Sequence, residues 1–251
     1  MTRPLVLLSN DDGYRSRGIA EMAAALRENF EVVVCAPDTE QSASSHALSL
    51  HRPLRLERHE KGIFSVDGTP ADSVFVALNE PSVLPRRPDL IVSGMNHGLN
   101  LGQDVFYSGT VAAAREGALQ GYPALAVSAD RQADLSAATA DACRLALALL
   151  KERGGTGCLL NANYPPGDRW KKCATFSGKR VYPGGLEARK DPRGRPYYWI
   201  GGNSVENHGN EGADTIAFDA GLVGITELRL ELSVPVAGAK TAAIVASLLD
   251  D

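Results

Sequence analysis

Two adjacent carboxylates, Asp11 and Asp12, directly follow a short apolar run, within Ser9-Asn10-Asp11-Asp12-Gly13. Side by side at a strand end they repel each other and require a counter-charge, for which a divalent cation is the simplest choice. The competing reading is structural: Asp11 caps the next helix and Asp12 stays in water. A second stretch, Ser93-Gly94-Met95-Asn96-His97-Gly98-Leu99-Asn100-Leu101-Gly102-Gln103-Asp104, repeats glycine at every fourth position with Asn96 and Asn100 between. Glycine lets the backbone come close to a ligand. Asparagine carbonyls can ligate a hard cation, and their amides can donate to phosphate. Next comes Tyr107-Ser108-Gly109-Thr110-Val111, a hydroxyl-bearing turn that opens a helix of small residues. Free N–H groups and the positive end of the helix dipole make such a turn an anion site. A plain N-cap by Ser108 or Thr110 would need no ligand. The loop Ala36-Pro37-Asp38-Thr39-Glu40-Gln41-Ser42-Ala43-Ser44-Ser45 clusters hydroxyls, but in isolation it reads as an ordinary serine-rich loop.

Several chemistries are disfavoured by absent motifs. There is no G-x-x-x-x-G-K-[ST], no G-x-G-x-x-G after the first apolar run and no H-E-x-x-H. No G-x-S-x-G elbow is present. The histidines are His46, His51, His59, His97 and His208, and no metal spacing links them. His97 alone lies in the motif-rich loop, as a polar loop residue or as a candidate general acid. Cys35, Cys143, Cys158 and Cys173 form no C-x-x-C pair, which suits free thiols in a reducing cytoplasm.

The elements that must position these residues follow from periodicity. Leu5-Val6-Leu7-Leu8, Glu31 to Ala36, Asp89 to Ser93 and Ala124 to Ser128 read as buried strands. Ile19 to Phe30, a segment after Pro70, Val111 to Gly121 and Leu135 to Arg153 read as helices. This alternation predicts an α/β fold, a Rossmann-like, mostly parallel sheet flanked by helices. Leu54-Arg55-Leu56 and Ile63 to Val66 flank Glu60-Lys61-Gly62 as a small hairpin. After Gly154 the pattern becomes irregular and β-rich, with an aromatic strand at Tyr197 to Ile200, a strand at Leu222 to Leu232 and a final helix at Ala237 to Leu249. In open parallel sheets the ligand lies beyond the carboxyl ends of the strands, which is where the motifs fall.

The chain has 251 residues and a formal net charge of −4, with 44% hydrophobic and 22% charged residues. That balance excludes global disorder and predicts no nucleic-acid polymer as partner. No apolar run reaches the length of a membrane span, so no membrane association is expected. The N-terminal segment lacks the form of a signal peptide, because its apolar run is short and two acids follow at once. A cytoplasmic location is therefore expected.

Together these stretches resemble the SurE family, the stationary-phase survival proteins that are metal-dependent 5′/3′-nucleotidases. The resemblance rests on Ser9 to Gly13, Ala36-Pro37-Asp38, Gly68-Thr69-Pro70-Ala71-Asp72, Val92 to Asn96, Asn100 to Ala114 with Glu116-Gly117, Leu160-Asn161-Ala162-Asn163-Tyr164-Pro165, Asp191-Pro192-Arg193-Gly194 and Gly212-Ala213-Asp214. Their order and spacing hold over essentially the whole chain. The resemblance implies one divalent cation per subunit, held by Asp11, Asp12, Ser42 and Asn96. It implies substrate and phosphate contacts from Asn10, Asn100, Ser108, Gly109 and Thr110. It also implies a single domain over 1–251, with a core over about 1–160 and a C-terminal arm over about 161–251 that helps form a homodimer or homotetramer. Two departures stand out: Ala43 follows Ser42 where the family usually has glycine, and Arg17 stands where proline is common.

An all-oxygen set favours Mg²⁺ or Mn²⁺. No Arg or Lys lies in the loops assigned to cation and phosphate. The expected reaction is hydrolysis of nucleoside 5′- and 3′-monophosphates by metal-activated water, with Asp11 or Asp12 orienting or deprotonating it as the catalytic carboxylates. A covalent aspartyl phosphate is the alternative route. Competing readings are a non-catalytic nucleotide-binding module, a broad phosphomonoesterase or exopolyphosphatase, and an aspartyl-nucleophile phosphotransferase, which would carry D-x-D in place of adjacent acids.

Overall fold

The computed structural model describes residues 3–152, 157–201 and 204–231. The elements run β1 (Leu5–Ser9), α1 (Arg17–Arg27), β2 (Glu31–Pro37), β3 (Leu56–Glu60), β4 (Ile63–Val66), α2 (Pro70–Asn79) and β5 (Leu90–His97). A 3-10 turn (Gly102–Phe106) precedes α3 (Gly109–Leu119), β6 (Ala124–Ala129), α4 (Leu135–Lys151) and β7 (Leu159–Tyr164). Then come β8 (Lys172–Thr175), β9 (Lys179–Val181), β10 (Leu186–Lys190), β11 (Pro196–Ile200), β12 (Glu206–His208), α5 (Asp214–Asp219) and β13 (Val223–Leu228).

Nine strands form one sheet in the order β3-β4-β2-β1-β5-β6-β7-β13-β8. All its pairings are parallel except β3 with β4 and β13 with β7. The apolar run of β1 is continuous because both its faces are covered. Val6 and Leu8 join Ile19, Met22 and Leu26 of α1 and Ala142 and Ala146 of α4. Leu5 and Leu7 join Val74 and Ala77 of α2 and Val111 and Ala114 of α3. The two-residue period of the strand sends alternate side chains to opposite layers.

Several boundaries differ from the sequence reading. The first helix begins at Arg17, not Ile19, and the third begins at Gly109, not Val111, because Ser108 caps it by accepting the Val111 N–H at 3.0 Å. Arg17 is the first helical residue, a position that proline also suits, so that departure stays local to the helix start. The hairpin lies at Leu56–Glu60 and Ile63–Val66. The sheet does not end near residue 160: β7, β8 and β13 all join it, and the strands outside it are β9 to β12. The expected helix over Ala237 to Leu249 falls outside the described residues.

From β1 the chain crosses by α1 to β2 on one side, and α2 later returns it to β5 on the other. The carboxyl ends of β1 and β5 therefore flank a point where the connections diverge, and a crevice opens there. The pairing of β5 with β6 shifts by one residue between Ser93 and Asn96, a bulge that re-aims the end of β5. Gly94 (φ 132°) lies in that bulge, and a Cβ there would stand 2.3 Å from the Val127 carbonyl oxygen.

The start of α1 packs onto this same strand end. A Cβ at Gly18 would lie 2.0 Å from the Met95 carbonyl oxygen, a backbone atom that no rotamer change can move. Gly18→Ala is therefore expected to cost about 1–3 kcal/mol through overpacking. Urea unfolding of the variant checks this, and an unchanged midpoint would contradict the packing.

Candidate active site

A cavity of about 740 Å³ opens at the crevice between β1 and β5. Its wall includes Asp11, Asp12, Ser42, Asn96, Asn100 and Ser108, contributed by the segments after β1, β2 and β5 and by the cap of α3. These six residues span 97 positions of sequence, from Asp11 to Ser108, and meet because each lies at or beyond the end of a parallel strand or caps the next helix.

Asp11 is only 5% exposed. Thr110 donates its hydroxyl to Asp11 Oδ1, and the Gln41 N–H donates to the Asp11 carbonyl at 2.7 Å. Gly109 is required by this closeness, since a Cβ there would fall 2.7 Å from the Asp11 Cβ. Burial pushes the Asp11 carboxyl up to about 6, against the lowering effect of the Thr110 hydroxyl and with a further push from Asp12. Asp12 is raised too, by burial first, opposed by His97 and reinforced by Glu40. Its Oδ2 is buried without a hydrogen-bond partner. Neither acid has an ion pair with Lys or Arg among the described residues.

The other predicted residues fall into two groups. Ser42 donates to Glu40 Oε1 at 2.8 Å, which leaves its oxygen lone pairs available. Asn96 commits its amide to the Gly98 carbonyl at 2.9 Å, and its side-chain carbonyl is the remaining group. Both line the cavity. Asn10 does not: it is fully buried, and its amide braces the turn through the Gly13 carbonyl and the Ser16 hydroxyl. Thr110 is also fully buried and turns its hydroxyl to Asp11, so toward a ligand only its backbone remains. Gly109 likewise has only backbone to offer.

Asn100 is held by a network the sequence reading missed. Its N–H donates to Asn163 Oδ1 at 2.8 Å, and its carbonyl accepts from Asn161 at 2.8 Å and Asn163 at 3.1 Å. Its own amide donates to the Ser128 hydroxyl at 2.8 Å, leaving one amide hydrogen for the cavity. Asn161 and Asn163 sit two apart on β7, so strand alternation puts both on one side. Asp214 fastens the following residues, accepting from the Gly102 and Gly178 N–H groups at 2.9 and 2.7 Å.

The loops expected to hold cation and phosphate carry no Arg or Lys, but Arg131 from elsewhere in the chain lines the same cavity. It lies outside the motif loops, just beyond β6, yet it lines the cavity beside Tyr107, Tyr182 and Ile200. Its only sequence signal was its place after a strand. Ala43 takes φ 58° and Ser45 φ 53°, left-handed values that glycine adopts more readily. The Cβ at position 43 therefore strains the loop but does not exclude it from the cavity.

The raised Asp11 carboxyl has a consequence for stability. Below pH 4 it is protonated both folded and unfolded, and it costs nothing. As pH rises towards 6 the unfolded chain ionises first, so the metal-free protein loses stability, by up to about 3 kcal/mol. Asp11→Asn keeps the Thr110 bond and removes this loss. With a chelator present, the variant is expected to gain stability over the native chain between pH 4 and 7 in urea unfolding. Parallel stability curves would refute the burial argument.

Comparison with known proteins agrees with this architecture. Residues 6–182 match the family model described as Survival protein SurE. A protein of Sorangium cellulosum named 5′-nucleotidase SurE is 56% identical over 92% of this chain and 91% of its own length. One of the same name from Geobacter metallireducens is 46% identical over 91% of this chain and 92% of its own. The crystal structure of the SurE protein from Aquifex aeolicus superposes with a TM-score of 0.81 at 34% identity, covering 99% of this chain and all of that one. The chain belongs to the SurE family.

Proposed function

We propose that the protein is a 5′-nucleotidase-type phosphoric monoester hydrolase, which releases phosphate from nucleoside 5′-monophosphates, and from 3′-monophosphates too, with the help of one divalent cation per subunit, Mg²⁺ or Mn²⁺. The names of its relatives support the nucleotidase reading. The observation that carries the rest is the placement side by side of buried Asp11 and half-buried Asp12, without a cationic partner among the described residues, on the wall of a cavity that also reaches the cap of α3.

The donors fit a hard cation. Asp12 Oδ2 is buried and unpartnered, and Ser42 and Asn96, whose donors are committed to Glu40 and Gly98, line the same cavity. No cluster of three or more His, Cys, Asp or Glu side chains is gathered among the described residues, so a site here draws on hydroxyl and amide oxygens. Such a set suits Mg²⁺ or Mn²⁺. Bound there, the cation supplies Lewis acidity and lowers the pKa of a coordinated water.

The chain's own groups divide the remaining work. The backbone N–H groups of Gly109 and Thr110 and the free Asn100 amide hydrogen donate to phosphoryl oxygens, aided by the dipole of α3. Asp11 or Asp12 orients the attacking water and accepts its proton, a role suited to carboxylates whose proton affinity burial has raised. Arg131, Tyr107 and Tyr182 line the same cavity and are candidates to contact the nucleoside. Outside the sheet, β11 exposes Tyr198, Trp199 and Ile200, the last at 90%, a surface suited to burial in a homodimer or homotetramer. No helix among the described residues is long and apolar enough to cross a membrane.

Phosphate release from a panel of nucleoside monophosphates tests the proposal, with the native protein and Asp12→Asn each in Mg²⁺, Mn²⁺ or EDTA. Release by the native protein that needs a cation, and falls at least about a hundredfold in the variant, is expected. Binding of nucleotides without release would favour a binding module.

A further inference from the structure

The segment between β2 and β3 contains no helix or strand, yet it carries Ser42 to the cavity. Its conformation is unfavourable in itself, because Ala43 and Ser45 both lie in the left-handed region with a Cβ to accommodate. Such a segment keeps one shape only where partners outside it hold it. Four hydrogen bonds do part of this. Gln41 N–H donates to the Asp11 carbonyl at 2.7 Å and Ser45 N–H to the Tyr107 carbonyl at 3.0 Å. The Thr69 hydroxyl donates to the Ala47 carbonyl at 2.7 Å, and Ser49 N–H to Asp72 Oδ1 at 2.9 Å.

A further tie joins two side chains, as the more exposed Arg52 and Arg55 pairs with Asp67 do at the far end of the segment. His46 Nε2 meets Glu116 Oε2 at 2.8 Å, with side-chain exposures of only 20% and 6%. Gln120 donates to the other Glu116 oxygen at 3.0 Å. Burial pushes the Glu116 carboxyl up, but the hydrogen bonds from His46 and Gln120 outweigh it and hold the group below its ordinary range. Glu116 is thus an acceptor, and His46 presents an N–H at Nε2 whatever its charge. Neither residue lines the cavity. A buried ionised group is costly to keep, so one without a chemical task needs another reason to be there. Its location supplies one. Glu116 sits two turns along α3 from Gly109, so the pair links the Ser42 segment to the helix that faces the phosphate.

We propose that His46 and Glu116 are positioning residues that fix the Ser42 segment against α3, so that the Ser42 hydroxyl faces Asp11 and Asp12 and completes the cation site. The inference rests on the reading of Ser42 as a cation ligand given above. It assigns the pair no contact with substrate or cation. Their effect is transmitted through the backbone of residues 42–46, which the pair holds in its left-handed form.

Calorimetric titration of Mn²⁺ into the metal-free protein tests this, together with thermal midpoints measured in chelator and in Mn²⁺. His46→Ala is expected to weaken Mn²⁺ binding about 10- to 100-fold, as loss of groups that orient metal ligands does. His46→Gln, whose amide can still donate to Glu116, is expected to restore most of it. In the His46→Ala background, Ser42→Ala should weaken binding no further. Should His46→Ala fail to fold, His46→Leu, which keeps the volume and lacks the donor, carries the same expectation. A folded variant with a lower midpoint in chelator but native Mn²⁺ affinity would overturn the proposal and leave only a structural pair. Equal Mn²⁺ binding by the native protein and Asp12→Asn would instead overturn the cation site on which it rests.

Discussion

The rest of the structure depends on one electrostatic constraint: a buried carboxylate, Asp11, and its half-buried neighbour Asp12 stand at the end of a central strand with no ion pair to Lys or Arg among the described residues. Asp11 and Asp12 occupy the place in a parallel sheet where backbone groups are free and connections diverge. Burying a charge in this way is unfavourable unless something compensates it. The Thr110 hydroxyl compensates in part, and Gly109 allows it by letting α3 approach the Asp11 side chain closely. The remainder is a standing attraction for a cation. Close packing of α3 on β1, the shape of the Gly109 turn and the affinity of the site are therefore aspects of one arrangement.

Around this pair the fold separates rigid supports from exposed contacts. Asn161, Asn163 and Ser128 clamp Asn100 from neighbouring strands, and Asp214 reaches back from the C-terminal segment to hold Gly102. These partners are buried, and each makes at least one hydrogen bond that holds the segment from Asn100 to Gly102. A site built on such supports is preorganised, so little reordering would be needed for the phosphate group that the proposed function places there. The Ser42 segment is the exception. It has no secondary structure, and it includes two residues in a strained conformation that must be held from outside.

Much of this was legible in the sequence. Strand and helix periodicity located the first half of the sheet, and the rule that ligands gather beyond strand ends pointed to the segments at 9–13, 94–104 and 107–111. Side-chain direction was not legible. Asn10 looked equivalent to Asn96 and Asn100, yet its amide is spent within its own turn. Thr110 looked like a phosphate donor, yet its hydroxyl serves Asp11. Arg131 carried no motif, because its place at the cavity comes only from strand order. Strands β7 and β8 were missed for a similar reason, and β13, read as a strand over Leu222 to Leu232, was not placed in the sheet. Asn161, Asn163, Thr175 and Thr226 break the apolar runs that mark a buried strand, and they do so because they form polar networks inside the fold.

The central claim is that the uncompensated pair at the end of β1 holds a divalent cation. Its most direct test is anomalous diffraction from crystals soaked in Mn²⁺. The account predicts one strong peak per chain, in contact with Asp11, Asp12, Ser42 and Asn96. A peak elsewhere, or none at these residues with Mn²⁺ in excess, would contradict it.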